Sequence, residues 1–219
     1  MELEQLTPEE LDAHVSNGTF RLAFVGMSNV GKSYRSRVLH GELSFLWFNV
    51  DEGIQKELNF ASMEDISNWL GQPTEKTYGE REERYLEIEN SLTKNASMQT
   101  DGKNLVFDTT GSDVHLKENT LKILRENCLV VHLDAGDDSL EKLVEKYFEM
   151  PKPVAWCGHL NREPNETSEE ALRRCYPTLL EFRLKQYRKL SHLNIPAHKV
   201  HDKNAEETLQ IIKSYLAKN

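Results

Sequence analysis

Short apolar runs alternate along the chain with longer stretches in which apolar residues recur every three or four positions. Leu22 to Val25, Phe45 to Val50, Leu105 to Asp108 and Cys128 to Ala135 are nearly continuous in apolar residues. Runs of that length between turn signals suit strands buried on both faces of a sheet. Helical spacing is read in Ser33 to Leu43, Glu52 to Leu58, Leu121 to Glu126, Ser139 to Phe148, Leu179 to Leu190 and Ala205 to Leu216. Two stripes, one of Met63, Ile66, Trp69 and Leu70 and one of Tyr78, Tyr85, Ile88 and Leu92, predict a helix pair broken at Gly71-Gln72-Pro73. Ala197 to His201 reads as a weak last strand. Strands that alternate with helices imply a parallel, doubly wound sheet. The expectation is a three-layer α/β/α domain over residues 1–219 with a mainly parallel five-stranded sheet. Residues 1–19 form a helical preface, opened by Thr7-Pro8-Glu9-Glu10, whose threonine and Glu10 can close a capping box.

The junction of the first strand and the helix after it carries the clearest chemistry. Gly26, four residues and then Gly31-Lys32-Ser33 fit the phosphate-binding loop, in the strand-loop-helix setting that the loop requires. The glycines let successive amides turn toward an anion, at a helix amino end whose dipole favours negative charge. The nucleotide-binding set is Gly26, Ser28, Asn29, Val30, Gly31, Lys32, Ser33 and Tyr34. Lys32 would reach the terminal phosphates, and Ser33 would place a hydroxyl on magnesium.

Other strand ends supply the remaining candidates. Asp51 follows the second strand, at the sheet edge where ligand crevices lie; it also suits the cap of the next helix. Asp108 ends the third strand and could hold magnesium with Ser33. Thr109-Thr110-Gly111-Ser112 follows as a small, hydroxyl-bearing turn able to approach a ligand closely. Trp156 to Arg174 shows little periodicity and contains Arg162, Arg173 and Arg174. A loop of that length in a compact domain is usually functional. Region 152–178 is expected to act as a lid that excludes water, with one of these arginines adding a cation to the transferring group.

Composition narrows the partners. A formal net charge of −9 over 219 residues argues against general affinity for nucleic acid or an anionic membrane. Three cysteines, odd in number and far apart, suit reduced thiols. No basic start with an apolar run and no bilayer-length apolar stretch is present, so the expectation is a soluble, cytoplasmic protein, working as a monomer.

With these stations placed, the chain resembles the shikimate kinase family, within the wider nucleoside monophosphate kinase-like group. The resemblance spans about residues 21 to 216, and rests on Gly26 to Ser33, on Phe48-Asn49-Val50-Asp51 with Ile54, on Asp108 to Ser112, and on Arg183 with Tyr187 four residues later. It implies an ATP-dependent transfer of the γ-phosphoryl group to a hydroxyl of a small, anionic metabolite, with Mg2+ as cofactor. Lys32, Asp51 and Arg174 would be catalytic, Asp51 by orienting or deprotonating the acceptor hydroxyl. Thr110, Gly111, Ser112 and Arg183 would join Asp51 in binding substrate, and Ser33 and Asp108 would hold the metal. The chain departs from the family pattern at Asn49, which stands for a first aspartate, at Thr110-Gly111-Ser112, which stands for a triple glycine, and at Leu86, which stands for an arginine. Arg81 and Arg84 are the neighbouring candidates to replace that arginine.

Two other readings stay open. Asp108-Thr109-Thr110-Gly111 also fits the Asp-x-x-Gly switch of GTPases, but no Asn-Lys-x-Asp follows a later strand to read guanine. A nucleotide-binding protein without catalysis is the other, against which stand Lys32, Ser33 and Asp51.

Overall fold

The computed structural model describes residues 6–99, 102–136, 139–149 and 152–218; residues 1–5 of the expected preface lie outside that set. Five strands, β1 (Arg21–Val25), β2 (Leu46–Asn49), β3 (Leu105–Asp108), β4 (Leu129–Asp134) and β5 (Leu193–Pro196), form one sheet in the order β2-β3-β1-β4-β5. Every pairing is parallel. Among the described residues the helices are α1 (Pro8–Ser16), α2 (Lys32–Leu43), α3 (Val50–Leu58), α4 (Met63–Leu70), α5 (Tyr78–Ser97), α6 (Glu118–Asn127), α7 (Leu140–Glu149), α8 (Ser168–Leu190) and α9 (Ala205–Leu216).

Successive strand residues point to opposite faces, and this divides the core in two. Leu22, Phe24, Val106 and Val131 pack with Leu11 of α1, Leu39 of α2 and Ile212 of α9. Ala23, Val25, Phe107 and Val130 pack with Ile54 of α3, Ile66 of α4, Ile88 of α5, Leu124 of α6 and Leu179 of α8. These are the three layers that the apolar runs predict. β1 lies at the centre, so the loop after it opens between β3 on one side and β4 on the other.

Helix ends follow the local chemistry. Thr7 and Glu10 close the expected capping box, and α2 begins at Lys32 behind Gly31. Three boundaries differ from the sequence expectation. Asn49, rather than Asp51, caps α3: its side chain accepts the Glu52 amide, and Asp51 lies one residue inside the first turn. The helix expected from Leu179 starts instead at Ser168, under a capping box of Thr167 and Glu170. Its buried stripe of Ala171, Leu172, Cys175, Tyr176 and Leu179 has helical spacing, which Arg173-Arg174 and the internal Pro177 interrupt in the sequence. The last strand lies earlier than expected, at Leu193–Pro196 on a sheet edge, where a proline can end the ladder. Ala197–Lys199 is a single 3-10 turn.

Candidate active site

The loop from Gly26 to Gly31 turns through backbone that side chains rarely adopt. Gly26 has φ 136° and Gly31 has φ 103°. A Cβ on Gly26 would lie 2.9 Å from the Leu133 carbonyl oxygen of β4, so the central strands can approach only a glycine here. Lys32 is buried, and its Nζ donates to the carbonyls of Gly26 at 2.6 Å and Met27 at 2.9 Å. Burial pushes its pKa down, while the charges of Asp113, Asp51 and Asp108 oppose that shift. In the next position the Ser33 hydroxyl donates to Asp108 Oδ2 at 2.5 Å, and the Trp47 indole donates to the other oxygen at 2.7 Å.

Across the cleft, Asp51 faces the same lysine from the first turn of α3. Burial raises its pKa to about 6, with Lys32 the chief group opposing the rise. Next to it the turn after β3 is built on a buried carboxyl. Glu89 of α5 has no exposed surface, and the hydroxyls of Thr110 and Ser112 donate to its two oxygens. Burial lifts the Glu89 pKa to about 8. The Thr110 hydroxyl also accepts the Ser112 amide at 2.9 Å, and the Tyr187 hydroxyl donates to the Gly111 carbonyl at 2.6 Å. A Cβ at Gly111 would sit 2.7 Å from Ser28 Oγ, so the turn and the phosphate loop touch.

Arg183 of α8 closes this end. It is 4% exposed and gives Nη2 to the Ala155 carbonyl at 2.6 Å and Nε to His115 Nε2 at 3.2 Å. His115 is held neutral, its pKa lowered to about 3 by burial and by Arg183. At the mouth, Lys152 Nζ donates to Asn29 Oδ1 at 2.7 Å. These groups share one cavity of about 390 Å³ that takes in Lys32, Ser33, Asp51, Gly111, Lys152 and Arg183. Lys32, Lys152 and Arg183 thus meet, in one cavity, a buried carboxylate, Asp51, able to take a proton.

Comparison with known proteins assigns the family. The model of the shikimate kinase family matches residues 28–213. The chain belongs to the shikimate kinase family. As a family member it is an ATP-dependent kinase that phosphorylates a small hydroxylated metabolite. A search of curated proteins returns no match. The fold is similar to that of the shikimate kinase from Acinetobacter baumannii in complex with shikimate, at 20% identity and TM-score 0.60 over 95% of this chain and 98% of that one. It is similar also to the shikimate kinase from Bacteroides thetaiotaomicron, at 14% identity and TM-score 0.60 over 90% and 98% of the two chains. The Aquifex aeolicus shikimate kinase aligns at 20% identity and TM-score 0.52, over 91% and 98%.

Most residues singled out from the sequence come together. Ser28, Asn29, Gly31, Lys32, Ser33 and Tyr34 line the cleft, as do Asp51, Gly111, Ser112 and Arg183. Val30 packs under the loop against the core, Thr110 is turned to Glu89, and Asp108 lies just behind Ser33. Arg174 stands apart: Nε and Nη2 each hold a Glu166 oxygen at 2.8 Å on the exposed side of α8, outside the cleft lining. Arg81 and Arg84 are likewise turned to Glu75 and Glu87, and Leu86 faces an outer cavity with Glu82 and Cys157. Neither arginine replaces the family's missing one within the cleft. Two groups escaped the sequence reading. Lys152, between two prolines, gave only the signal of a stiff segment before the expected loop. Glu89 shares the buried stripe of Tyr85, Ile88 and Leu92, and a carboxylate on an apolar stripe is the cue to a buried role.

Proposed function

We propose that the cleft carries magnesium-ATP on the Gly26–Ser33 loop and phosphorylates a hydroxyl of a small anionic acceptor held between Asp51 and Arg183. The observation that carries this reading is the convergence of Lys32, Asp51 and Arg183 on one cavity that also opens onto the phosphate loop. Asp51 orients the acceptor hydroxyl and takes its proton as the oxygen attacks the terminal phosphorus. Lys32 and Lys152 neutralise the charge on the transferring group, and Lys152 takes the place expected of Arg174. Phosphoryl transfer asks mainly for positioning and charge neutralisation, and these residues supply both. The Ser33 hydroxyl against the Asp108 carboxylate is a hard-oxygen donor pair that suits magnesium. When bound there, the ion adds charge neutralisation on the phosphate oxygens.

Shikimate is the first acceptor to test. Its carboxylate would meet Arg183, whose guanidinium is bonded to a carbonyl and an imidazole. Among the described residues no helix is long and apolar enough to cross a membrane, in keeping with a cytoplasmic role. The test is thermal shift with magnesium and ATP, ADP or GTP, each with and without shikimate and a panel of hydroxylated acids and sugars. A ligand stabilises in proportion to its binding to the folded state. ATP stabilisation enhanced by one acceptor, followed by ADP release in a coupled assay, is the expected result. Preference for GTP with no synergistic second ligand would overturn it.

A further inference from the structure

Tyr34 follows Ser33 directly and lines the cleft, yet it is 56% exposed, one of two exposed large hydrophobic side chains among the described residues. An aromatic ring in that position would ordinarily be loose. Here it is backed by a fixed cation: the Arg35 guanidinium carbon lies 4.5 Å from the ring centroid. Arg35 itself is 2% exposed. It donates from Nη2 to the His201 carbonyl at 3.0 Å, and from Nη1 to the Lys203 carbonyl and to Thr208 Oγ1 at 3.3 Å. The turn before α9 and α9 itself therefore hold a guanidinium against the ring, while most of the ring remains open.

We propose that this backed ring is the stacking platform for the nucleobase of the phosphoryl donor. The inference rests on the phosphotransfer reading given above. With the terminal phosphates at Lys32 and the acceptor groups at Asp51 and Arg183, the nucleoside end must leave the cleft on the side away from the acceptor. Tyr34, in the first turn of α2, directly follows the phosphate loop, lines the same cavity, and is joined through Arg35 to the turn before α9. A flat base stacked on it gains dispersion and excludes water from its face, and stacking of this kind tolerates any base. Tyr34 thus contributes affinity for a nucleoside as such, and leaves the choice between adenine and guanine to other groups.

Calorimetric titration of the full-length protein tests this without knowledge of the acceptor. Magnesium-ADP and magnesium tripolyphosphate, which has no base, are titrated into wild type, Tyr34→Ala and Tyr34→Phe. Tyr34→Ala is expected to weaken ADP about tenfold and to leave tripolyphosphate unchanged, while Tyr34→Phe stays close to wild type. Equal losses for both ligands would make Tyr34 a phosphate contact, and unchanged ADP affinity would remove it from the site; either result overturns the platform. A wild type that binds neither ligand would defeat the phosphotransfer reading itself, so the two failures are told apart by the wild-type titration alone.

Discussion

Asn49 and Asp108 are register partners at the carboxyl ends of β2 and β3, and only the second carries a charge. Asn49 spends its side-chain oxygen on the Glu52 amide, while Asp108 receives the Ser33 hydroxyl and the Trp47 indole. The carboxylate of this edge therefore stands one strand nearer the phosphate loop. Asp108→Asn is expected to lower turnover about 100-fold or more, and to raise the magnesium concentration needed for half-maximal rate. Adding Asn49→Asp should recover part of the loss, because aspartate caps a helix as well as asparagine does. Rates measured across a magnesium titration decide it; an unchanged magnesium dependence in Asp108→Asn would place the metal elsewhere.

Lys152 and Arg174 make opposite predictions. Lys152→Ala should reduce kcat by about 10²–10³-fold, the usual cost of removing a group that meets developing charge. Lys32→Ala should nearly abolish turnover. Arg174→Ala should hold kcat within about twofold of wild type, since exposed ion pairs contribute little. Steady-state kinetics of the three variants would reverse this assignment if Arg174→Ala were the more damaged of the surface pair.

Asp51 sets a pH limb. Its raised pKa of about 6 means that the base form is present above that pH and lost below it. The rate of phosphoryl transfer is expected to fall as pH drops through about 6, and Asp51→Asn to lower it by about 10²–10⁴-fold and to erase the limb. A pH profile of single-turnover rates reads both; a limb that survives in Asp51→Asn belongs to another group.

Glu89 links stability to pH. Its folded pKa of about 8 lies above the ordinary value of 4.5. Between those values the folded protein holds a proton that the unfolded chain has released. The stability contributed by this group is therefore full at low pH and declines as pH rises toward 8, at up to about 1.4 kcal/mol per pH unit. Glu89→Gln, which cannot titrate, should flatten the fall in melting temperature between pH 5 and about 8. An identical slope in the variant would assign the effect to Asp51 and Asp113, whose values burial also raises, to about 6 in each case.

The periodicities foretold β3 and α9 to the residue, because each is bounded by its own turn chemistry. α8 was half hidden, since Pro177 and the Arg173-Arg174 pair break a stripe that burial completes from the other side. In the site, residues fixed by a local motif were readable: the loop needs its glycines, Lys32 and Ser33 wherever it occurs. Lys152 and Glu89 were not, because their roles depend on contacts across the chain, with Asn29 in one case and with Thr110 and Ser112 in the other. Arg174 had the right charge in the right segment, but Glu166, eight residues earlier and just before the Thr167 cap, captures it first.

The approach of Gly111 to Ser28 sets a limit on the reaction itself. A methyl group at Gly111 would meet the Ser28 oxygen at 2.7 Å and lie 3.7 Å from Arg183 Nη1, so the serine hydroxyl would have to turn away to admit it. In the proposed phosphotransfer the turn belongs to the wall that receives the phosphoryl group, and the serine to the wall that gives it up. The closeness of the two walls is thereby written in an omission, and on that reading a side chain at this position is expected to press on the Ser28 side of the cleft whatever the acceptor.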